Sequence, residues 1–82
     1  MTNPNLIAVL AVVDRLIREH GYSPSVREIG ELAGYTSSSM IYDRITALYE
    51  ADCITYMPMQ TRTIRVTSKG KRVLKEAEIH AN

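Results

Sequence analysis

The chain has no tryptophan and no phenylalanine, so its five tyrosines are its only aromatic residues. A single cysteine, Cys53, excludes an intramolecular disulfide and fits a reducing compartment, where it reads as a small buried hydrophobe. Of two histidines, neither His20 nor His80 has a partner at metal-ligand spacing or a neighbouring nucleophile, so no metal site is expected. Ser/His/Asp sets, phosphate-cradling glycine loops and paired carboxylates are missing too. An enzyme is therefore not expected, and neither is a cofactor or a small-molecule ligand. Long apolar runs are also lacking: Leu6–Val13 is short, is followed by Asp14, Arg15 and Arg18, and has neither a basic leader nor a small-residue cleavage pattern. It reads as neither a membrane span nor a signal peptide, and a cytoplasmic protein is expected.

What is present is an ordinary globular composition, 45% hydrophobic and 23% charged, in 82 residues: room for one domain with a modest core. The net charge of +1 conceals an uneven distribution. Between Cys53 and Lys75 stand Arg62, Arg65, Lys69, Lys71, Arg72 and Lys75 without one acid, whereas acids outnumber bases before Cys53. A local positive segment on a near-neutral chain is the footprint expected of an anion contact such as phosphate.

Asn3-Pro4 can start a first helix, Asn as cap and Pro at its first position. Leu6, Val9, Leu10, Val13, Leu16 and Ile17 form its stripe, ended near His20-Gly21. Ile7, Ala8, Ala11 and Val12 make its first half apolar nearly all round, so another helix or another subunit should cover it. Tyr22-Ser23-Pro24 is a connector that could form one small strand. Ser25 and Glu28 then form a capping-box signature, with Ile29 and Leu32 as the apolar side of the second helix and Gly34 as its stop. Tyr35, a large apolar residue after that glycine, is expected in the core. Ser37 can cap a third helix with Ile41, Ile45 and Leu48 inward and Ser39, Met40, Tyr42, Asp43 and Thr46 outward. Two helices across a tight turn, the second with a polar outer face, are the layout of a helix-turn-helix.

Beyond Leu48 the period changes. Ile54 and Tyr56, then Ile64 and Val66, alternate with polar or exposed positions and predict two half-buried strands around a tip at Pro58–Arg62. Tyr49 and Tyr56 are expected in the core or on the sheet face. Thr67 or Ser68 can cap a last helix carrying Val73, Leu74 and Ala77. The expected fold is mainly α with a small β-hairpin, in the order α-α-α-β-β-α, a winged helix-turn-helix. One domain over 1–82 is expected, with the helix-turn-helix at 25–51, the wing at 53–66 and the last helix at 68–80.

The strings LIREHGYSPSVREIGELAGY, SSSMIYDRITAL and ITYMP…RTIRV together resemble the DNA-binding domain of the LexA repressor family over residues 6–66. The resemblance implies that Ser37, Ser39, Met40, Tyr42 and Asp43 face the major groove. Family members typically have an Asn and two acids where Ser39, Tyr42 and Asp43 stand, so a different operator is implied. The self-cleaving domain of full repressors is not expected, since the chain stops at Asn82. In its place Thr67-Ser68-Lys69-Gly70-Lys71-Arg72 resembles the T-x-x-G start of the last helix in other small winged-helix regulators.

These readings lead to a sequence-specific, repressor-type regulator of bacterial or phage origin that binds double-stranded DNA. The expected contact set is Arg27, Ser37, Ser38, Ser39, Met40, Tyr42, Asp43, Arg44 and Thr46 from the helix-turn-helix, Arg62 and Arg65 from the wing, and Lys69. Met40 reads equally as a half-buried packing residue. A homodimer through the first and last helices is expected, since one small module reads only a short half-site. The alternative is a winged helix used for protein–protein contact, an antirepressor or assembly adaptor. Asp43 and the nearby Glu28 and Glu31 favour it; the basic run favours DNA.

Overall fold

The apolar stripe of the first segment folds as helix α1, Pro4–His20, which buries Val9, Leu10 and Val13 completely. Gly21, in the left-handed region, closes it by donating its N–H to the Ile17 carbonyl at 2.8 Å. The computed structural model describes residues 4–81, with side chains through Glu78. The cap expected at Asn3 and the side chain of His80 lie outside the described residues.

Helix α2, Val26–Ala33, starts on the capping box read from the sequence: Glu28 N–H donates to Ser25 Oγ at 3.1 Å, and Ser25 N–H to Glu28 Oε1 at 2.8 Å. Gly34 ends it at φ +83, a conformation costly for any side chain, and Tyr35 N–H reaches back to the Gly30 carbonyl. Helix α3, Ser38–Glu50, buries Ile41, Ile45 and Leu48 against α1 and α2. Strands β1, Ile54–Thr55, and β2, Arg65–Val66, pair antiparallel with Ile54 opposite Val66 and Thr55 opposite Arg65. Helix α4, Ser68–Ala81, packs on α1 and β2. The order is the winged helix-turn-helix order read from the sequence. Among the described residues, ten buried side chains from α1, α2, α3 and the hairpin region form one core. At about 1.5–3 kcal/mol for each fully buried Leu or Ile, that core carries most of the stabilisation.

Several local expectations are corrected. Tyr22–Pro24 adds no strand: Ser23 meets β2 through its side chain, its Oγ accepting the Ile64 N–H at 2.9 Å. The hairpin strands are shorter than the alternation suggests. Past Thr55 the Met57 N–H bonds the Thr63 hydroxyl rather than a ladder carbonyl, and Met59 and Arg62 take positive φ, which ends extended pairing. Leu32 is exposed, because Val26, Ile29, Gly30 and Ala33 supply the packed face of the short α2. Tyr35 is half-buried against the core rather than inside it, and Tyr49 is exposed, stacking edge-on against the half-buried Tyr56 at 5.1 Å. Of the two caps the sequence allowed for α4, Thr67 is the one used: its Oγ1 accepts the Gly70 N–H at 3.0 Å and donates to the Asp52 carbonyl. Burial holds the Cys53 thiol above its ordinary pKa, so it stays protonated at neutral pH.

Among the described residues no helix is long and apolar enough to cross a membrane, and no group of three or more His, Cys, Asp or Glu could hold a metal ion.

Candidate nucleic-acid interface

Packing of Ile41, Ile45 and Leu48 inward turns the opposite side of α3 to solvent. Ser38, Ser39, Met40, Tyr42, Asp43 and Thr46 are all exposed there, Tyr42 at 56%. Ser37 occupies the N-cap position but does not cap; its Oγ pairs with Ser39 Oγ at 2.9 Å. The first turn of α3 therefore presents backbone N–H groups and hydroxyls with no carboxylate over them. The positive end of a helix dipole and unfilled donors suit a phosphate oxygen.

The charges around this face are sorted by pairing. Arg27 binds Glu31 at 3.1 Å, four residues on along α2. Arg44 does not reach Asp43; its Nε donates to the Tyr35 hydroxyl at 3.3 Å. Asp43 is exposed and makes no ion pair among the described residues. Its free acceptor oxygens suit a base-edge amino group, such as cytosine N4, and disfavour a phosphate. Met40, at 47% exposure, stands on the open face rather than in the packing.

Arg62 departs most from the sequence reading. It does not project from the hairpin tip as a free cation. Its Nη1 lies 2.9 Å from Glu28 Oε1 and donates to the Ser23 carbonyl at 3.2 Å, and its guanidinium carbon stands 5.5 Å from the Tyr22 ring centre. Glu28 thus serves two partners, the Ser25 N–H and the Arg62 guanidinium. Together they hold its carboxyl below the usual carboxylate range, the backbone bond contributing most. Because the folded-state pKa is depressed, this contribution is present at neutral pH and is lost as pH falls through that lowered value. Glu28 and Glu31 are therefore not free acids waiting for a basic protein partner.

The remaining basic residues of the Cys53–Lys75 stretch spread over two further surfaces. Arg65 lies in a groove between α1, β2 and α4 with Arg18, Lys71 and Lys75, around a floor of Ile17, Val66 and Leu74 and beside Asp14 and Glu78. Lys69 and Arg72 share a shallow patch with Glu76. Neither surface is lined by any residue of α2, α3 or the hairpin tip. A continuous basic run in sequence is thus dispersed in space by a latch, a strand and the 100° turn of a helix. Of the expected contact set, the structure gathers Arg27, Ser37, Ser38, Ser39, Met40, Tyr42, Asp43, Arg44 and Thr46 on or beside α3. It commits Arg62 to an internal role and sets Arg65 and Lys69 apart.

Between α2, α3 and the hairpin lies a groove of about 300 Å³ lined by Tyr42 and Arg27 on one side and by Tyr56, Met57, Met59 and Thr61 on the other. Sequence reasoning passed over the hairpin-tip methionines, and also Ser23, whose serine in a connector gives no periodic signal.

Residues 7–63 match the family model described as the LexA DNA binding domain. LexA repressors are among the similar proteins: that of Limosilactobacillus reuteri (strain DSM 20016) is 34% identical over 68 residues, covering 83% of this chain and 33% of the relative. That of Lacticaseibacillus casei (strain BL23) is 40% identical over 63 residues, covering 77% and 30%. The chain spans about one third of the length of these relatives. The crystal structure of a protein from Ralstonia eutropha JMP134, provisionally described as DNA-binding, superposes with a TM-score of 0.69 at 20% identity, over 94% of this chain and 98% of that one. At that identity the likeness speaks for the fold.

Proposed function

The chain belongs to the LexA DNA-binding domain family, and from that premise we propose that it is a sequence-specific, repressor-type transcriptional regulator that inserts α3 into the major groove of double-stranded DNA. Its role is regulatory rather than catalytic and its place of action the cytoplasm. The observation that carries this reading is the first turn of α3, where uncapped N–H groups and three serines stand with no acid of their own turn, while Glu31 of α2, in the same pocket as Ser37 and Ser38, is paired with Arg27 and Glu28 with Arg62. The major groove is about 12 Å wide and admits one such helix. Arg27, Ser37, Ser38 and Arg44 serve as phosphate contacts around it, and Ser39, Met40, Tyr42, Asp43 and Thr46 address the bases.

Selection of bound sequences from random duplex DNA, read at two salt concentrations, tests the proposal; recovery of no common motif would sink it. On the selected site, Ser39→Ala and Tyr42→Ala leave thermal stability unchanged, because both side chains are exposed. Each reduces discrimination against random DNA by about 1 kcal/mol, at the low end for base contacts because neither residue can bond bidentately. Full discrimination in both variants would remove this face of α3 from base readout.

The homodimer through the first and last helices is proposed in a restricted form. Val12, Val73 and Leu74 already pack on the chain's own core, and α4 packs on α1, so the exposed Ala8 and Ala11 and the half-buried Ile7 are what that part of α1 leaves for a partner. So little apolar surface gives a weak pair in free solution that forms on a palindromic site. Sedimentation equilibrium is expected to show a monomer alone and two copies on the selected duplex. One copy per duplex at saturation would eliminate pairing.

A further inference from the structure

The hairpin tip carries one charged residue, and that residue is turned back from the tip. Arg62, the cation that ends the Pro58–Arg62 turn, folds back onto Glu28 and Ser23, and Met57, Pro58, Met59, Gln60 and Thr61 are uncharged. At the far point stands Met59, fully exposed at 102%, with Met57 exposed behind it. Met59 and Arg62 both hold left-handed φ, +68 and +58, a conformation uncommon for residues other than glycine. The turn is braced: Met57 N–H donates to Thr63 Oγ1 at 2.9 Å and Gln60 N–H to the Met57 carbonyl at 3.2 Å. A fixed turn therefore holds a thin apolar side chain out into water, on the rim of the groove it shares with Tyr42 of α3.

We infer that the wing is an apolar wedge: Met59 enters the minor groove beside the major-groove site of α3, partly unstacks one base step and bends the duplex. The inference rests on the DNA reading proposed above. A wing that neutralised phosphates would carry its cation forward at the tip, whereas Arg62 is turned back from it onto Glu28, the Ser23 carbonyl and the Tyr22 ring. The minor groove is about 6 Å wide, which excludes a helix but admits an unbranched thioether chain. Apolar side chains inserted from the minor groove kink the duplex toward the major groove, which would press the site onto α3. Pyrimidine–purine steps open most easily, so the wing selects TA or CA/TG without bonding to either base. Met59 thereby becomes a specificity-determining residue that makes no hydrogen bond.

The test uses the full chain and the selected duplex, with 2-aminopurine placed at successive steps and fluorophores at the two ends. Wild type is expected to raise 2-aminopurine emission at one pyrimidine–purine step and to shorten the end-to-end distance. Met59→Ser, fully exposed and so without effect on folding, loses both signals and binds roughly tenfold more weakly with an unchanged salt slope. Met59→Lys also loses both signals. If Met59→Lys instead binds more tightly, with a salt slope steeper by about one, the tip merely lies along phosphates and the wedge is overturned. A wild type that binds its selected site without either signal also overturns the wedge while leaving the DNA reading intact. A wild type that selects no DNA overturns both.

Discussion

Gly70→Ala destabilises the protein by about 3 kcal/mol, although alanine in the interior of a helix ordinarily stabilises by about 1 kcal/mol relative to glycine. The sign is decided by one contact. A Cβ built on Gly70 would stand 2.2 Å from the Cys53 carbonyl oxygen and 2.9 Å from Val66 Cγ1. The nearer atom belongs to the backbone, at the place where α3 hands over to β1, and that carbonyl is already fixed by accepting the Thr67 N–H at 3.0 Å. It cannot rotate away as a side-chain tip could. To admit a methyl group, α4 must lift from the hairpin, breaking the Thr67 N–H bond to the Cys53 carbonyl and uncovering Val66. For a chain of this size, with a total stability of about 4–12 kcal/mol, the loss is large. Urea denaturation checks it, with Lys71→Ala, exposed on the same helix, as control. Stability equal to or above wild type in Gly70→Ala would mean that α4 is not seated on Cys53.

Ser23→Ala has the next largest expected effect, about 2 kcal/mol. Ser23 is 1% exposed and its Oγ accepts the N–H of Ile64, itself buried. Removing the hydroxyl leaves a buried backbone donor without its partner. An unsatisfied buried N–H costs far more than a surface hydrogen bond contributes, because its lost hydration is never replaced. The damage is local to the junction between the helix-turn-helix and the wing, so amide exchange at Ile64 should accelerate more than at Ile45 in α3. Uniform acceleration across both would indicate global unfolding and would refute Ser23 as a wing anchor.

These two positions show what could be read from the sequence and what could not. The helices, the capping box at Ser25 and Glu28 and the Gly34 stop are written in local spacing, three or four residues at a time, and the structure follows them. So does the exposed face of α3, which is whatever Ile41, Ile45 and Leu48 leave outside. The attachment of the wing is not local. Arg62 meets Glu28 across 34 residues and Ile64 meets Ser23 across 41, and no periodicity announces either pair. The same blindness misplaced the positive charge: six bases in one stretch of sequence look like one patch, but the fold sends them to three sides. Leu32 failed for a smaller reason, since a helix of eight residues can bury only a narrow face.

The brace of the hairpin has a consequence for how readily this protein could be retargeted. Every hydrogen bond that residues 57–61 contribute to it is made through main-chain atoms of Met57 and Gln60, while the side chains that hold the turn belong to Thr63, Arg62 and Ser23. The tip is therefore an interchangeable cassette on a fixed mount. Its side chains can be rewritten, provided the residue at 59 tolerates positive φ, without renegotiating any contact on which folding depends. The tip of the wing and the core can then vary as separate quantities, as loops do on any rigid scaffold.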